Sequence, residues 1–201
     1  MDRFLEAMEF RHACKIFDES KKISEEDFTA ILEYGRLSPS SFGMEPWRFW
    51  VVTDEQKKRE LRPLCWNQKQ ITTCSHLLLI IADNAAVQDD AYIEAMFQRR
   101  GLSPEATRAY IERYKSFLAK QNISCWTKKQ CYIAAANMMT GAAYKRIDSC
   151  PIEGFDKEEL EAYLGVDGIK KEVALIVAFG YRLNPQPPKR RLPLAQITTY
   201  L

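Results

Sequence analysis

Three groups of residues in this 201-residue chain have the types and spacing to do chemistry. Arg11, His12 and Lys15 stand near one end of the sequence, and Lys189, Arg190 and Arg191 near the other. Brought together by folding, they form a site for an anion such as phosphate, held by charge-assisted hydrogen bonds; left apart, they are solvated surface. The second group is the stretch Ser38-Pro39-Ser40-Ser41-Phe42-Gly43-Met44-Glu45-Pro46-Trp47-Arg48-Phe49. Its prolines stiffen the path, Gly43 permits a backbone conformation closed to most residues, and its serines offer hydroxyl and N–H groups to a polar ligand. The same residues also suit an ordinary turn-rich connection between a helix and a strand. The third group is the six cysteines, at 14, 65, 74, 125, 131 and 150. With no C-x-x-C and only His12 and His76 as histidines, no metal is expected, and the cysteines read as free thiols of a reducing compartment.

Composition sets outer limits. A net charge of +2 is too mild to argue for nucleic acid as a partner, and 46% apolar residues supply a sizeable core. No apolar run approaches the roughly 20 residues that span a bilayer. The longest, Leu77 to Ala82, suits a buried strand, and the N-terminal residues lack a signal peptide's apolar stretch. The expectation is a soluble cytoplasmic protein with no membrane or nucleic-acid partner. No G-x-G-x-x-G, P-loop, H-E-x-x-H or G-x-S-x-G occurs, so Rossmann, P-loop, zincin and nucleophile-elbow readings have no sequence handle.

The elements that must position these groups follow from periodicity and caps. Arg3 to His12 reads as a helix, and Ser24-x-x-Asp27 opens a second, Ile23 to Leu37, with Phe28, Ile31, Leu32 and Gly35 on one face. A strand follows at Phe49 to Val52, then a charged helix capped by Thr53 and ending near Leu64. His76 to Ala82 is a strand covered on both faces. Residues 84 to 126 are mostly polar and helical, with Ser103-Pro104 as a helix start and Tyr110, Ile111, Tyr114, Phe117 and Leu118 at helical spacing. The longest helix runs from Thr127 to Arg146, and its Ala134, Ala135, Ala136, Gly141, Ala142 and Ala143 let another helix come close. Asp148 to Phe155 reads as a connector, Asp156 opens a short helix that Gly165 ends, and Val173 to Ala178 is a third buried strand. The tail from Arg182 holds four of the nine prolines and no helix signal, so it is expected to pack on something.

Four motifs in this order carry a resemblance: Arg11-His12-x-x-Lys15-x-Phe17-Asp18, Ser38-Pro39-Ser40-Ser41-x-x-x-x-Pro46-Trp47-x-Phe49, Cys150-Pro151-Ile152-Glu153-Gly154-Phe155-Asp156 and Lys189-x-Arg191-Leu192-Pro193. Together they resemble the FMN-dependent nitroreductase family, in particular the oxygen-insensitive NAD(P)H nitroreductases of bacteria. Cys14 and Asp148-Ser149-Cys150 are similar to the variants found in Helicobacter and Campylobacter relatives.

The resemblance implies an α+β nitroreductase-like fold as one FMN-binding domain over residues 1–201. It would have a mixed central sheet flanked by helices, in an intertwined homodimer whose C-terminal segment adds a strand to the partner's sheet. Arg11, His12, Ala13, Lys15, Lys189 and Arg191 would hold the FMN phosphate and ribityl chain. Pro39, Ser40, Ser41 and Gly43 would come from the other subunit. Asn67 and Gln70 would meet the pyrimidine edge, and Pro151, Ile152, Glu153 and Gly154 would line the ring, with a backbone N–H near Glu153 directed at N5. No nucleophile or acid/base pair is then required, since the cofactor carries the chemistry.

The implied activity is two-electron hydride transfer from NADPH or NADH to FMN, then to a nitroaromatic, a quinone or a similar small-molecule acceptor, in ping-pong order. A flavin reductase, a dehalogenase-type flavoenzyme and a non-catalytic FMN-binding protein share the same motifs. The helical stretch Arg108 to Gln121, with Tyr114 and Phe117, is the expected gate of the substrate pocket. Several positions depart from the family pattern. Ala13 stands where a serine is frequent, Gln70 where a cation is frequent, and Gly43 and Glu45 where Asn and Gln are usual.

Overall fold

The computed structural model describes residues 2–201. At its centre is a four-stranded sheet in the order β1-β2-β4-β3, with β1 at Trp47–Val52, β2 at His76–Asp83, β3 at Asp148–Ile152 and β4 at Lys171–Gly180. Every neighbouring pair of strands is antiparallel. The parallel component of the expected mixed sheet is, among the described residues, a single bridge between Ala13 and Ser149.

β2 shows why a continuous apolar run becomes a central strand. Leu78, Ile80 and Ala82 enter one core, while Leu77, Leu79 and Ile81 enter another on the opposite face. Side chains alternate with period two, so both sets can be apolar only where both faces are covered. Each buried Leu or Ile contributes about 1.5–3 kcal/mol relative to exposure.

The first face is covered by α2, Glu25–Arg36, and α7, Ile123–Tyr144. Ser24 caps α2 by accepting the Asp27 N–H at 3.1 Å and donating to the Asp27 carboxylate at 3.0 Å. Phe28, Ile31 and Gly35 then form its buried stripe. Gly35 and Gly141 let α2 and α7 approach, because a Cβ on Gly35 would overlap Met138 and one on Gly141 would overlap the Tyr34 ring. α7 begins four residues earlier than the apolar pattern suggests, because Asn122 caps it through the Cys125 N–H.

On the second face lie α3, Glu55–Leu64, and α8, Lys157–Leu164, with α4, Gln70–Thr73, between them in sequence. Asp54 rather than Thr53 caps α3, accepting the Lys57 N–H at 2.7 Å. α5, Asp90–Gln98, and α6, Pro104–Leu118, form a helical hairpin with its own core of Val87, Ile93, Phe97, Tyr114, Leu118 and Trp126. α1, Arg3–Phe10, packs on α7.

Two segments differ from the sequence reading. Asp148 to Ile152 is a strand and not a connector; its Pro151 is tolerated because β3 lies at a sheet edge, where a missing N–H costs no ladder bond. The tail forms one helical turn, α9 at Leu194–Ile197, which is too short to leave a periodic signal. Among the described residues, no helix is long and apolar enough to cross a membrane.

Candidate active site

The cations at the two chain ends meet. α1 has no basic residue in its last turn, so its final carbonyls need donors from elsewhere. The tail supplies them. Lys189 donates to the Met8 carbonyl at 2.6 Å and the Arg11 carbonyl at 2.5 Å, Gln186 to Glu9 at 2.8 Å, and Arg182 to Phe10 at 3.2 Å. Arg182 is anchored by a bidentate ion pair with buried Asp148 and lies 4.0 Å over the Phe10 ring.

Lys189, Arg191 and Arg11 are thereby crowded at one corner. Among the described residues, none of the three has a carboxylate at ion-pair distance. Burial, then the charge of Arg191, hold the Lys189 pKa below the usual lysine value; Glu9, beyond ion-pair distance, opposes this, and Arg11 adds to it. A bound anion would relieve this repulsion, which fits a phosphate. His12 lines the neighbouring cavity with Ala13 and Lys15. Its Nδ1 is buried without a hydrogen-bond partner among the described residues, 3.6 Å from Asp148, and burial and Arg182 lower its pKa.

From this corner the segment 13–17 runs beside β3. The Cys14 N–H donates to the Ser149 carbonyl at 3.1 Å, and the Lys15 ammonium reaches the Cys150 sulfur at 3.6 Å. Burial raises the Cys150 pKa, and Lys15 opposes that rise. The Ser149 hydroxyl is buried and has no hydrogen-bond partner among the described residues.

Beyond β3, residues 153–154 are gripped by the loop after α3. Gln68 donates to the Gly154 carbonyl at 2.7 Å and receives the Gln70 amide at 2.8 Å. The Trp66 ring lies so close over Gly154 that an added Cβ would come within 2.6 Å of it, and its indole donates to Asp156 at 3.3 Å. Trp66 and Asn67 hold φ of 53° and 55°, so two consecutive non-glycine residues take the left-handed conformation here. Asn67 is exposed and Gln70 buried. On the other side Tyr132, from α7, donates to the Glu153 carboxylate at 2.6 Å. Burial and that bond both raise the tyrosine pKa. A cavity of about 640 Å³ opens there, between Tyr132, Glu153, Phe155, Cys125 and Lys129.

The serine loop lies elsewhere on the chain. Ser40 closes it, accepting the Glu45 N–H at 2.9 Å on its hydroxyl and the Gly43 N–H at 2.8 Å on its carbonyl. The Ser41 N–H donates to Gln130 of α7 at 2.8 Å. Gly43 has φ 63°, as its type suggests, but Phe42 at 55° and Glu45 at 45° share the left-handed region without being glycine. Pro39 is exposed. Among the described residues, no hydrogen bond or ion pair joins Pro39, Ser40, Ser41 or Gly43 to Arg11, Lys15, Lys189 or Arg191.

The expected gate is corrected in part. Tyr114 is fully buried in the hairpin core and donates to the Val87 carbonyl at 2.7 Å, so it faces no pocket. The stripe that contains it is the packing face of α6. Phe117 is half-buried, with its ring 5.1 Å from Phe42 of the serine loop. Sequence reasoning passed over Trp66, Gln68, Tyr132 and Gln130 as positioning residues. Only Trp66 left a signal, as a tryptophan in a polar run.

The arrangement suits an elongated ligand with an anionic end at Arg11, Lys189 and Arg191, and a planar polar end beside Gln68, Gln70 and residues 151–154. Comparisons with known proteins give the family. The Nitroreductase family model matches residues 8–181. A Staphylococcus saprophyticus protein provisionally named as an NAD(P)H nitroreductase is 41% identical over 210 residues, covering 98% of this chain and 96% of the relative. Bacillus subtilis YfkO, provisionally named in the same way, is 38% identical over 219 residues, covering 99% and 97%. Among solved structures, a nitroreductase-like protein from Streptococcus mutans shares the fold at TM-score 0.90 and 23% identity, covering 100% of this chain and 99% of that one. An Exiguobacterium sibiricum protein provisionally named as a nitroreductase, in complex with FMN, matches at TM-score 0.84 and 27% identity, covering 98% and 97%. The chain belongs to the nitroreductase family.

Proposed function

We propose that this chain, as a homodimer, is an FMN-dependent oxidoreductase that accepts hydride from NADPH or NADH and reduces a nitroaromatic, a quinone or a similar small acceptor. The observation that carries the reading is the cation corner, where Lys189 and Arg191 from the tail meet Arg11 with, among the described residues, no carboxylate at ion-pair distance. Relatives named for NAD(P)H, and one solved with FMN, support the cofactor pair.

The residues present fit the group. Arg11, Lys189 and Arg191 would bind the phosphate, and Lys15 would reach the chain that joins phosphate to ring. Asn67, Gln68 and Gln70 would offer amides to the polar ring edge, while Pro151 to Gly154 would support the ring face. Bound FMN supplies hydride acceptance and donation, so the protein's task is position and electrostatics. Tyr132 and Gln68 keep residues 153–154 in place from two sides. Gln70 is neutral, so a negative charge on reduced cofactor meets less compensation than a lysine would give.

The dimer is part of the proposal, and two exposed apolar surfaces support it. On α7, Tyr144 (52% exposed) lines a cavity with Phe4 and Leu37, the last 65% exposed, and Ile133 of the same helix is also exposed. The tail leaves Leu192, Leu194, Ile197 and Tyr200 in solvent, the last 92% exposed. Patches of this kind mark interaction surfaces. The outer edge of β1 also receives no strand among the described residues, leaving it free to receive the partner's tail. With the partner's serine loop brought in, each site would draw on both chains. A cytoplasmic location is proposed with it, consistent with six unpaired thiols.

The test is the visible spectrum of purified protein, before and after anaerobic NADPH and then NADH. The expected result is one FMN per chain, bleached by at least one nucleotide and re-oxidised by a nitrofuran or quinone. Colourless protein that stays colourless after incubation with FMN and desalting defeats the reading. Bound flavin that neither nucleotide bleaches leaves an FMN-binding protein without catalysis.

A further inference from the structure

Phe42 and Gly43, adjacent in the serine loop, hold left-handed backbone conformations, with φ of 55° and 63°. For an aromatic residue that region is strained, and it persists only where surrounding contacts over-determine it. Met44, buried at the rim of the hairpin core, pins the loop from within. From outside, three side chains of α5 and its C-terminal end reach across to the loop backbone and to Glu45. Tyr92 donates to the Met44 carbonyl at 2.8 Å, Arg99 pairs with the Glu45 carboxylate at 2.8 Å, and Arg100 donates to the Phe42 carbonyl at 2.7 Å.

Arg100 differs from Arg99 in being held itself. Its guanidinium lies 4.7 Å over the Phe97 ring and 5.3 Å from the Tyr110 ring, which joins α5 to α6. It makes no ion pair among the described residues and is surface-exposed, so its interactions are the two rings and one carbonyl. That carbonyl belongs to the residue whose φ is strained. The Arg100 guanidinium is also the nearest group to the space a Cβ on Gly43 would take, at 3.8 Å.

We propose that Arg100 is a positioning residue for cofactor binding: clasped by Phe97 and Tyr110, it holds the Phe42 carbonyl and keeps the turn that presents Ser40, Ser41 and Gly43. The role rests on the flavin reading above, and it ties the α5–α6 hairpin to the cofactor loop although Arg100 touches no cofactor. A lysine at the position keeps the donor and charge but loses the planar stack. A methionine keeps the packing and loses the donor.

Hydrogen exchange of the segment 40–46 in flavin-free protein tests the first half, and FMN titration by fluorescence quenching the second, in wild type, Arg100→Met and Arg100→Lys. Arg100→Met is expected to exchange about tenfold faster in that segment and to bind FMN about tenfold more weakly, with Arg100→Lys between it and wild type. Melting of the flavin-free protein should change little, since Arg100 is exposed. Tyr92→Phe, which frees the Met44 carbonyl, should move both readouts in the same direction. Unchanged exchange in Arg100→Met overturns the proposal, as does faster exchange with unchanged FMN affinity. Wild type that binds no FMN defeats the flavin reading instead, and the exchange comparison then still decides whether Arg100 holds the loop.

Discussion

The Arg182 guanidinium and the Asp148 carboxylate lie 2.6 Å apart, with the carboxylate almost fully buried at the start of β3. Asp148 also accepts the Arg182 backbone N–H at 2.9 Å. One residue pair therefore fixes where the tail leaves the sheet, and with it the path that brings Lys189 back to α1. Replacing Asp148 by Asn leaves Arg182 partly buried without its counter-charge. The expected loss is about 2–3 kcal/mol of stability, read by urea unfolding, together with weaker FMN retention. Unchanged stability would mean that the tail docks without the pair.

Arg191 offers a cleaner test of the anion corner than Lys189, because Lys189 also caps α1. Among the described residues, the Arg191 guanidinium bonds only to the neighbouring Arg190 carbonyl. Arg191→Met should leave the melting temperature within about 1–2 °C, as surface changes do. It should cost FMN about tenfold in affinity while leaving riboflavin, which lacks the phosphate, nearly unaffected. Equal losses for the two flavins would remove Arg191 from phosphate binding.

Gln70 is buried and hydrogen-bonded to Gln68, which holds Gly154. A cation there would stabilise the reduced, anionic flavin. Gln70→Lys is expected to raise the two-electron potential of bound FMN by about 30 mV, which corresponds to about 1.4 kcal/mol. Anaerobic redox titration against a reference dye measures it, and an unchanged or lower potential would place Gln70 away from the ring.

His76 stacks on Phe28 at 4.0 Å between ring centroids and shares a 2.9 Å bond with the Ser75 hydroxyl. Burial, then the charges of Lys58 and Lys22, lower its pKa to about 4. A lowered folded-state pKa means that stability is fully present above the unfolded value near 6.5 and is lost as pH falls through about 4. The full shift corresponds to about 3 kcal/mol, and solvent screening of this half-buried ring reduces the expected acid destabilisation to about 2 kcal/mol. His76→Phe, which keeps the stack, should flatten the pH dependence between those values. An unaltered profile would show that the ring titrates in the folded protein as it does in the unfolded chain.

Of the six thiols, only Cys125 is exposed. Burial pushes Cys14 up to about 11 and Cys65, Cys74 and Cys131 up to about 12, and thiols that stay protonated react slowly. At pH 8 one cysteine should react quickly with a thiol reagent in folded protein and six in urea. The raised values add an alkaline limit, with stability falling from about pH 9, the ordinary thiol value, towards 12. Fast labelling of Cys150 would show that its strand opens readily.

What the sequence determined by itself is what short-range physics encodes. The capping residues Ser24 and Ser103 act on N–H groups within three positions, and Gly165 ends α8 in the left-handed conformation. The run Leu77 to Ala82 is buried on both faces, as its lack of polar alternation requires. Four motifs, read together, were enough for the family, because each is a local cluster whose order survives folding.

Tertiary structure decided the rest, through contacts with no local signature. Lys189 and Arg11 are 178 residues apart in sequence, and only the turn of the tail at Arg182 brings them together. Phe42 and Glu45 adopt a conformation that their types disfavour, in a loop contacted by Arg99 and Arg100 just beyond α5. The stripe that contains Tyr114 reads as core more readily than as pocket, and the α5–α6 core does claim Tyr114, so the gate role expected of it is lost to what packs against that face. Asp148 to Ile152 becomes a strand because β4 offers an edge, although Pro151 argues against one in the sequence alone. Strand pairing and burial are properties of two surfaces, and a chain read in order shows only one of them.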